Sequence, residues 1–157
     1  DDIVTKEGWI RNTILFGKYR LLHKLGTGRA GTVWLAVHIG LEEYRAIKRI
    51  SKRDADYDTF RREALVLKEL RHPGIPMIYD LEEDSEFFYL IEEYLEGYSL
   101  YAMIVNQGPI QEAEAVRYGM QVCGLVAYMQ SEWTFPLSFQ FMLREYQKYV
   151  IFLVLKM

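Results

Sequence analysis

The sequence predicts an α+β fold: a twisted five-stranded antiparallel sheet carrying one packed helix, followed by the first helices of a further unit. Three observations predict it. Apolar-alternating runs flank the glycine-rich segment Gly26–Gly31, a strand-turn-strand signature. Phe60, Ala64, Leu67 and Leu70 recur at helical spacing, with Arg61, Arg62, Lys68 and Glu69 off that stripe. A second long helical pattern then fills residues 111–130.

Residues 1–17 show no clear period and read as an extension. The first strand is expected over Tyr19–Leu25 and the second over Gly31–Val37. Val33-Trp34-Leu35-Ala36-Val37 is too rich in β-branched and aromatic residues to start a helix. That separates these glycines from a dinucleotide fingerprint, in which the same spacing opens a helix. The Gly40 region turns the chain into a third strand, Tyr44–Ile50, and the polar stretch 51–58 reads as a loop. The helix over Thr59–Leu70 is stopped by Arg71-His72-Pro73-Gly74, since proline restricts its predecessor and glycine permits a sharp turn. Met77–Leu81 and Phe87–Glu92 form a hairpin around Glu82-Glu83-Asp84-Ser85 and complete five strands. Gly97 breaks the pattern, a short helix is expected over residues 99–106, and Gly108-Pro109 separates it from the long helix. On that helix Ala113, Val116, Met120, Cys123 and Ala127 step along one face, so Met120 and Cys123 read as core filler.

Bulk properties narrow the functional classes. The chain has 157 residues, half of them hydrophobic, enough to fold around a core. A net charge of −3 gives no general basis for nucleic-acid binding. Cys123 is the single cysteine, which excludes an internal disulfide or a cysteine metal cluster and suits a reducing, cytoplasmic setting. His23, His38 and His72 lack metal-ligand spacing, so no metal ligands are expected. No apolar run approaches the roughly 20 residues needed to cross a bilayer, and Asp1-Asp2 is acidic where a signal peptide is basic.

Gly26-Thr27-Gly28-Arg29-Ala30-Gly31-Thr32-Val33 fills the pattern G-x-G-x-x-G-x-V. Ala46-Ile47-Lys48 follows on the next strand and Glu63 on the next helix, each fifteen residues further on. In this order the glycine loop, strand lysine and helix glutamate resemble the N-terminal lobe of a eukaryotic-type (Hanks-type) protein serine/threonine kinase. The resemblance covers about Tyr19 to Ser131, and the Glu92-Glu93-Tyr94 wording leans toward bacterial members.

The resemblance implies ATP as ligand. Gly26, Thr27, Gly28 and Gly31 would cover the phosphates, because glycine lets backbone N–H groups approach without Cβ clashes. Lys48 would reach the α- and β-phosphates, held by Glu63, and these two are the residues it assigns to catalysis. Val33 and Ala46 would enclose adenine from above, and the backbone from Glu93 to Leu95 would meet its edge. Glu92 falls at the gatekeeper position, where a carboxylate is unusual and makes the rear of the pocket more polar. His72-Pro73 matches the family's turn after the helix.

The resemblance implies residues 18–97 as the N-lobe, 98–131 as the first helices of the C-lobe, and an unmatched aromatic-rich tail over 132–157. No H-R-D-x-x-x-x-N, D-F-G or A-P-E motif follows Ser131, and no aspartate occurs after Asp84. The expected parent activity is phosphoryl transfer from ATP, with Mg2+, to serine or threonine of a protein substrate. The magnesium ligands are missing here, so this chain, truncated before the catalytic loop, is expected not to catalyse transfer alone. The alternative is a pseudokinase-like module that binds a nucleotide or a partner without chemistry.

Overall fold

The computed structural model describes residues 11–28, 31–98 and 100–132. Residues 1–10, Arg29, Ala30, Ser99 and the tail from 133 lie outside the described residues. The chain divides into two compact units: residues 1–69 with 76–94, and residues 70–75 with 95–157.

In the first unit all five expected strands form: β2 (Tyr19–Gly28), β3 (Gly31–His38), β4 (Glu43–Ser51), β5 (Ile78–Glu83) and β6 (Phe87–Glu93). A two-residue strand, β1 (Ile14–Leu15), joins them from the segment read as an extension. Every pairing is antiparallel, in the order β1-β2-β3-β4-β6-β5. β1 turns into β2 through Leu15–Lys18, where the Lys18 N–H donates to the Leu15 carbonyl at 3.0 Å. Both central residues are left-handed, Phe16 at φ 51° and Gly17 at φ 67°, as a tight hairpin turn requires. Gly17, following the apolar run Ile14-Leu15-Phe16, was the local signal for this hairpin.

Helix α1 (Tyr57–Glu69) starts two residues before the expected position. Asp56 is the reason: its carboxylate accepts the Thr59 N–H at 2.9 Å, capping an otherwise unpaired amide. α1 packs on β5 and β6. Phe60 and Ala64 bury against Phe88 and Leu90, with Ile50, Ile78 and Leu81 at the margin. Phe60 stacks on Phe88 with ring centroids 4.8 Å apart.

Strand alternation sends the other residues to the far face of the sheet. There Tyr19, Leu21, Trp34, Ala36, Ile47, Tyr89 and Ile91 form a second core, covered by Leu15, Phe16 and Phe87. Both faces of this sheet are therefore apolar. The far face also takes two buried arginines. Arg45 lies over the Tyr79 ring at 3.9 Å and donates to the Glu43 carboxylate at 2.8 Å. Arg49 lies over Phe87 at 4.4 Å.

In the second unit the His72-Pro73 turn is held by the His72 ring, whose Nδ1 accepts the Gly74 N–H at 2.9 Å. That ring lies 5.0 Å from Tyr128, whose hydroxyl accepts the Arg71 N–H at 2.7 Å. Helices α2 (Leu100–Gln107) and α3 (Glu112–Ser131) follow. The expected face of α3 is corrected by the structure: Val116, Met120 and Cys123 are exposed, Met120 at 70%. Tyr118, Leu125 and Met129 are buried instead. The sequence carries two apolar stripes on this helix, and the one with larger side chains is buried because it removes more apolar area from water.

Candidate functional site

The hairpin of β2 and β3 brings the glycines over the sheet. Gly28 pairs with Gly31, Thr27 with Thr32, and Gly26 with Val33, beyond a bulge between Lys24 and Gly26. Such a bulge sharpens the twist of the strand that carries it. Gly31 has φ 122°, and a Cβ on it would lie 1.9 Å from the Arg49 carbonyl oxygen. Only glycine fits there. At Gly26 the reason differs: a Cβ would meet no atom within 4 Å. The surface above it is open.

Register then aligns the other residues. Val33 is opposite Lys48, and Lys48 is opposite Leu90. Gly26, Val33, Lys48 and Leu90 thus make one row across four strands, on the face that carries α1. Two residues along, Leu35, Ala46, Glu92 and Ile78 make the next row. Val33, Ala46 and Lys48 share this face because side chains on a strand alternate with period two. Lys48 is only 7% exposed, an uncommon setting for an ammonium group.

Glu63 lies on α1 three residues after Phe60 and four before Leu67, on the stripe with these buried residues. Its side chain lies outside what is described. At the end of β6 the Glu93 N–H donates to the Met77 carbonyl at 2.8 Å, and the Glu93 carboxylate accepts the Met77 N–H at 3.2 Å. The Glu93 amide is therefore already engaged within the sheet. Leu95, just past the strand, is half-buried.

This arrangement suits an anion. An open glycine hairpin and a buried lysine share one face, with small apolar residues beside them. Among the described residues no group of three His, Cys, Asp or Glu side chains could hold a metal ion. The described chain therefore does not fit Mg2+ by itself. No described helix is long and apolar enough to cross a membrane.

A curled antiparallel sheet with one packed helix and a lysine beneath a glycine hairpin defines a kinase-like N-lobe. The chain belongs to the protein kinase domain family, which it matches over residues 19–134. It is 38% identical over 114 residues to the probable serine/threonine-protein kinase KIN1 homolog of Enterocytozoon bieneusi, covering 71% of this chain and 19% of that protein. It is 37% identical over 117 residues to serine/threonine-protein kinase PrkC of Bacillus subtilis, covering 71% of this chain and 18% of that one. Among solved structures it is similar to Rad53 1-466 in complex with AMP-PNP, with TM-score 0.68 and 27% identity, covering 78% of this chain and 33% of that one. The chain spans about a fifth of the length of the curated relatives it matches.

Proposed function

We propose that this chain supplies the ATP-binding part of a cytoplasmic protein serine/threonine kinase and does not itself transfer phosphate. One observation carries the reading: Gly26, Val33 and the buried Lys48 stand in a single cross-strand row. In this reading residues 18–97 are the nucleotide-binding lobe and 98–131 open the second lobe. Gly26, Thr27, Gly28 and Gly31 bring backbone N–H groups to the phosphates. Lys48 supplies the charge, and Glu63 steadies it. Val33 and Ala46 cover adenine, and the backbone from Glu93 to Leu95 meets its edge. The AMP-PNP complex of Rad53, an ATP-analogue complex on a similar fold, supports the same ligand class here.

The complete kinase would use Mg2+ and a protein serine or threonine as acceptor. The described residues do not assemble a metal site, and no aspartate follows Asp84 in the sequence. These two observations favour a second reading of the chain alone, a module that binds nucleotide without chemistry.

Equilibrium binding of a fluorescent ATP analogue, run beside a radiolabel transfer assay on the 157-residue chain, tests both halves. Binding is expected without turnover. Lys48→Met is expected to weaken binding about 10- to 100-fold, the effect of losing one charge-assisted contact. No measurable binding would overturn the nucleotide assignment, and robust transfer would overturn the assignment of inactivity.

A further inference from the structure

The sheet face that carries Val33, Ala46 and Lys48 runs on into a third row. Val37 is opposite Tyr44, which stands two residues before Ala46 on β4, and side chains two apart on a strand share a face. The last paired residues of β4 and β6 in this direction are Arg45 and Glu93. The next step of that register sets Tyr44 against Tyr94, the residue that follows β6 and closes the first unit. Their rings meet edge-on, with centroids 5.9 Å apart.

Both sides of this contact are themselves held. Arg45, 5% exposed, donates from Nη1 to the Tyr44 carbonyl and from Nη2 to the Glu43 carboxylate, each at 2.8 Å. Its guanidinium lies over the Tyr79 ring on β5. The backbone of Tyr44 is thus fixed from the far side of the sheet. On the other strand Glu93 is tied to Met77 through its amide and its carboxylate. β6 ends at Glu93, so past that residue the Tyr44 ring continues the hold that the ladder supplies before it. Tyr44 is 56% exposed and stands outside both cores of the sheet, so core burial does not account for its ring. Edge-on pairing of aromatic rings stabilises a contact beyond the area it buries.

We propose that Tyr44 is a positioning residue for the nucleotide site: its ring holds Tyr94 and thereby sets the start of the segment that meets the adenine edge. The part that concerns adenine rests on the proposed ATP site. The hold on Tyr94 does not, since the ring contact is present without a ligand. Tyr44 acts through Tyr94 and not by touching the base. A segment already ordered before binding loses less conformational freedom when a ligand arrives. β4 then carries both the lysine for the phosphates and the ring that orders the base end of the site.

NMR backbone order parameters, measured on the chain without nucleotide, test the hold. Tyr44→Ala is expected to lower them at Tyr94 and Leu95, toward the range below about 0.6 that marks a flexible backbone. Tyr44→Phe keeps the ring and is expected to leave them at the wild-type value. Should Tyr44→Ala fail to fold, Tyr44→Leu, which keeps apolar bulk without a ring, takes its place. Unchanged order parameters in the ringless variant overturn the inference.

Displacement of a fluorescent ATP analogue supplies the functional arm. Tyr44→Ala is expected to bind the analogue about 2- to 10-fold more weakly, the loss of one aromatic pair, and Tyr44→Phe to bind it as wild type does. Inorganic tripolyphosphate has no base, and it is expected to bind wild type and Tyr44→Ala equally. An equal loss for both ligands, or none for the analogue, overturns the role in the nucleotide site. If wild type itself does not bind the analogue, the proposed function and this role fall together, while the order parameters still decide the hold on Tyr94.

Discussion

Lys18 and Asp80, 62 residues apart in sequence, are joined by an ion pair of 3.2 Å. Lys18 precedes β2 near one edge of the sheet, and Asp80 lies on β5, the strand at the other edge. Lys18 also meets Glu82 at 3.0 Å on the same strand. The sheet is thus curled far enough for the β1–β2 turn to reach β5. Phe16 in that turn sets its ring edge-on to Tyr89, 5.1 Å away, over the far-face core.

Hydrogen bonds to Glu82 and Asp80 push the Lys18 amine up to about 12. A raised pKa means that its contribution to stability is full below the ordinary value of 10.5 and is lost as pH rises through about 12. Lys18→Met should therefore lower the urea midpoint slightly at neutral pH, and the difference should vanish in strong alkali. Salt should also shrink it, since the pair is exposed. Urea titrations at low and high ionic strength check this, and an effect insensitive to salt would contradict it.

Gly31→Ala and Gly26→Ala should part company. The first places a Cβ 1.9 Å from the Arg49 carbonyl at a backbone angle that side chains avoid. It is expected to cost about 2–3 kcal/mol of folding stability. The second meets nothing within 4 Å, so stability should change by less than about 0.5 kcal/mol. Its effect should appear in ATP-analogue affinity, which is expected to weaken. Denaturation and binding measured on both variants separate the two roles.

Asp84 holds the β5–β6 hairpin. Its Oδ1 accepts the Glu86 and Phe87 N–H groups, each at 2.8 Å, and its Oδ2 accepts the Tyr89 hydroxyl. Burial tends to raise its carboxyl, but these hydrogen bonds outweigh that and lower it below the usual range. Its stabilisation is therefore present above the ordinary carboxylate pKa and is lost as pH falls through the lowered one. Burial and the same bond push the Tyr89 phenol well above 10. Tyr89→Phe should remove one late-titrating phenol from an ultraviolet alkaline titration. Asp84→Ala should cost about 2 kcal/mol through its orphaned donors.

The α3 correction is open to the same kind of check. Met120→Lys should be tolerated within about 0.5 kcal/mol, whereas Leu125→Ala should cost about 2–5 kcal/mol. Thermal melts of the two variants distinguish the faces, and equal losses would restore the original stripe.

Much of the sheet was legible because strands announce themselves by alternation and glycine by position. The expected starts and ends of β3, β4 and β6 lie within one residue of those observed. The row of Gly26, Val33 and Lys48 was foreseen as three separate motif positions; their alignment is a matter of register, which spacing alone does not state. α3 failed for a different reason. Two stripes of comparable period compete on it, and the choice depends on side-chain volume and on Tyr118, whose hydroxyl also donates to Glu114 at 2.8 Å. β1 was missed because two residues are too few to show a period. Glu92 was legible only in part: its chemistry was evident, but its burial belongs to the folded sheet.

The covered far face bears on how kinase-domain proteins of this kind are cut for study. Similarity to the family begins at Tyr19, an inviting place to start a recombinant chain. Such a cut would discard Leu15 and Phe16, which pack against the far-face core, together with Lys18, and would uncover Tyr89 where the Phe16 ring meets it. A boundary drawn by resemblance would here convert an interior into a sticky exterior. Poor yield from a protein begun at that residue would report on the missing strap and not on the quality of the fold.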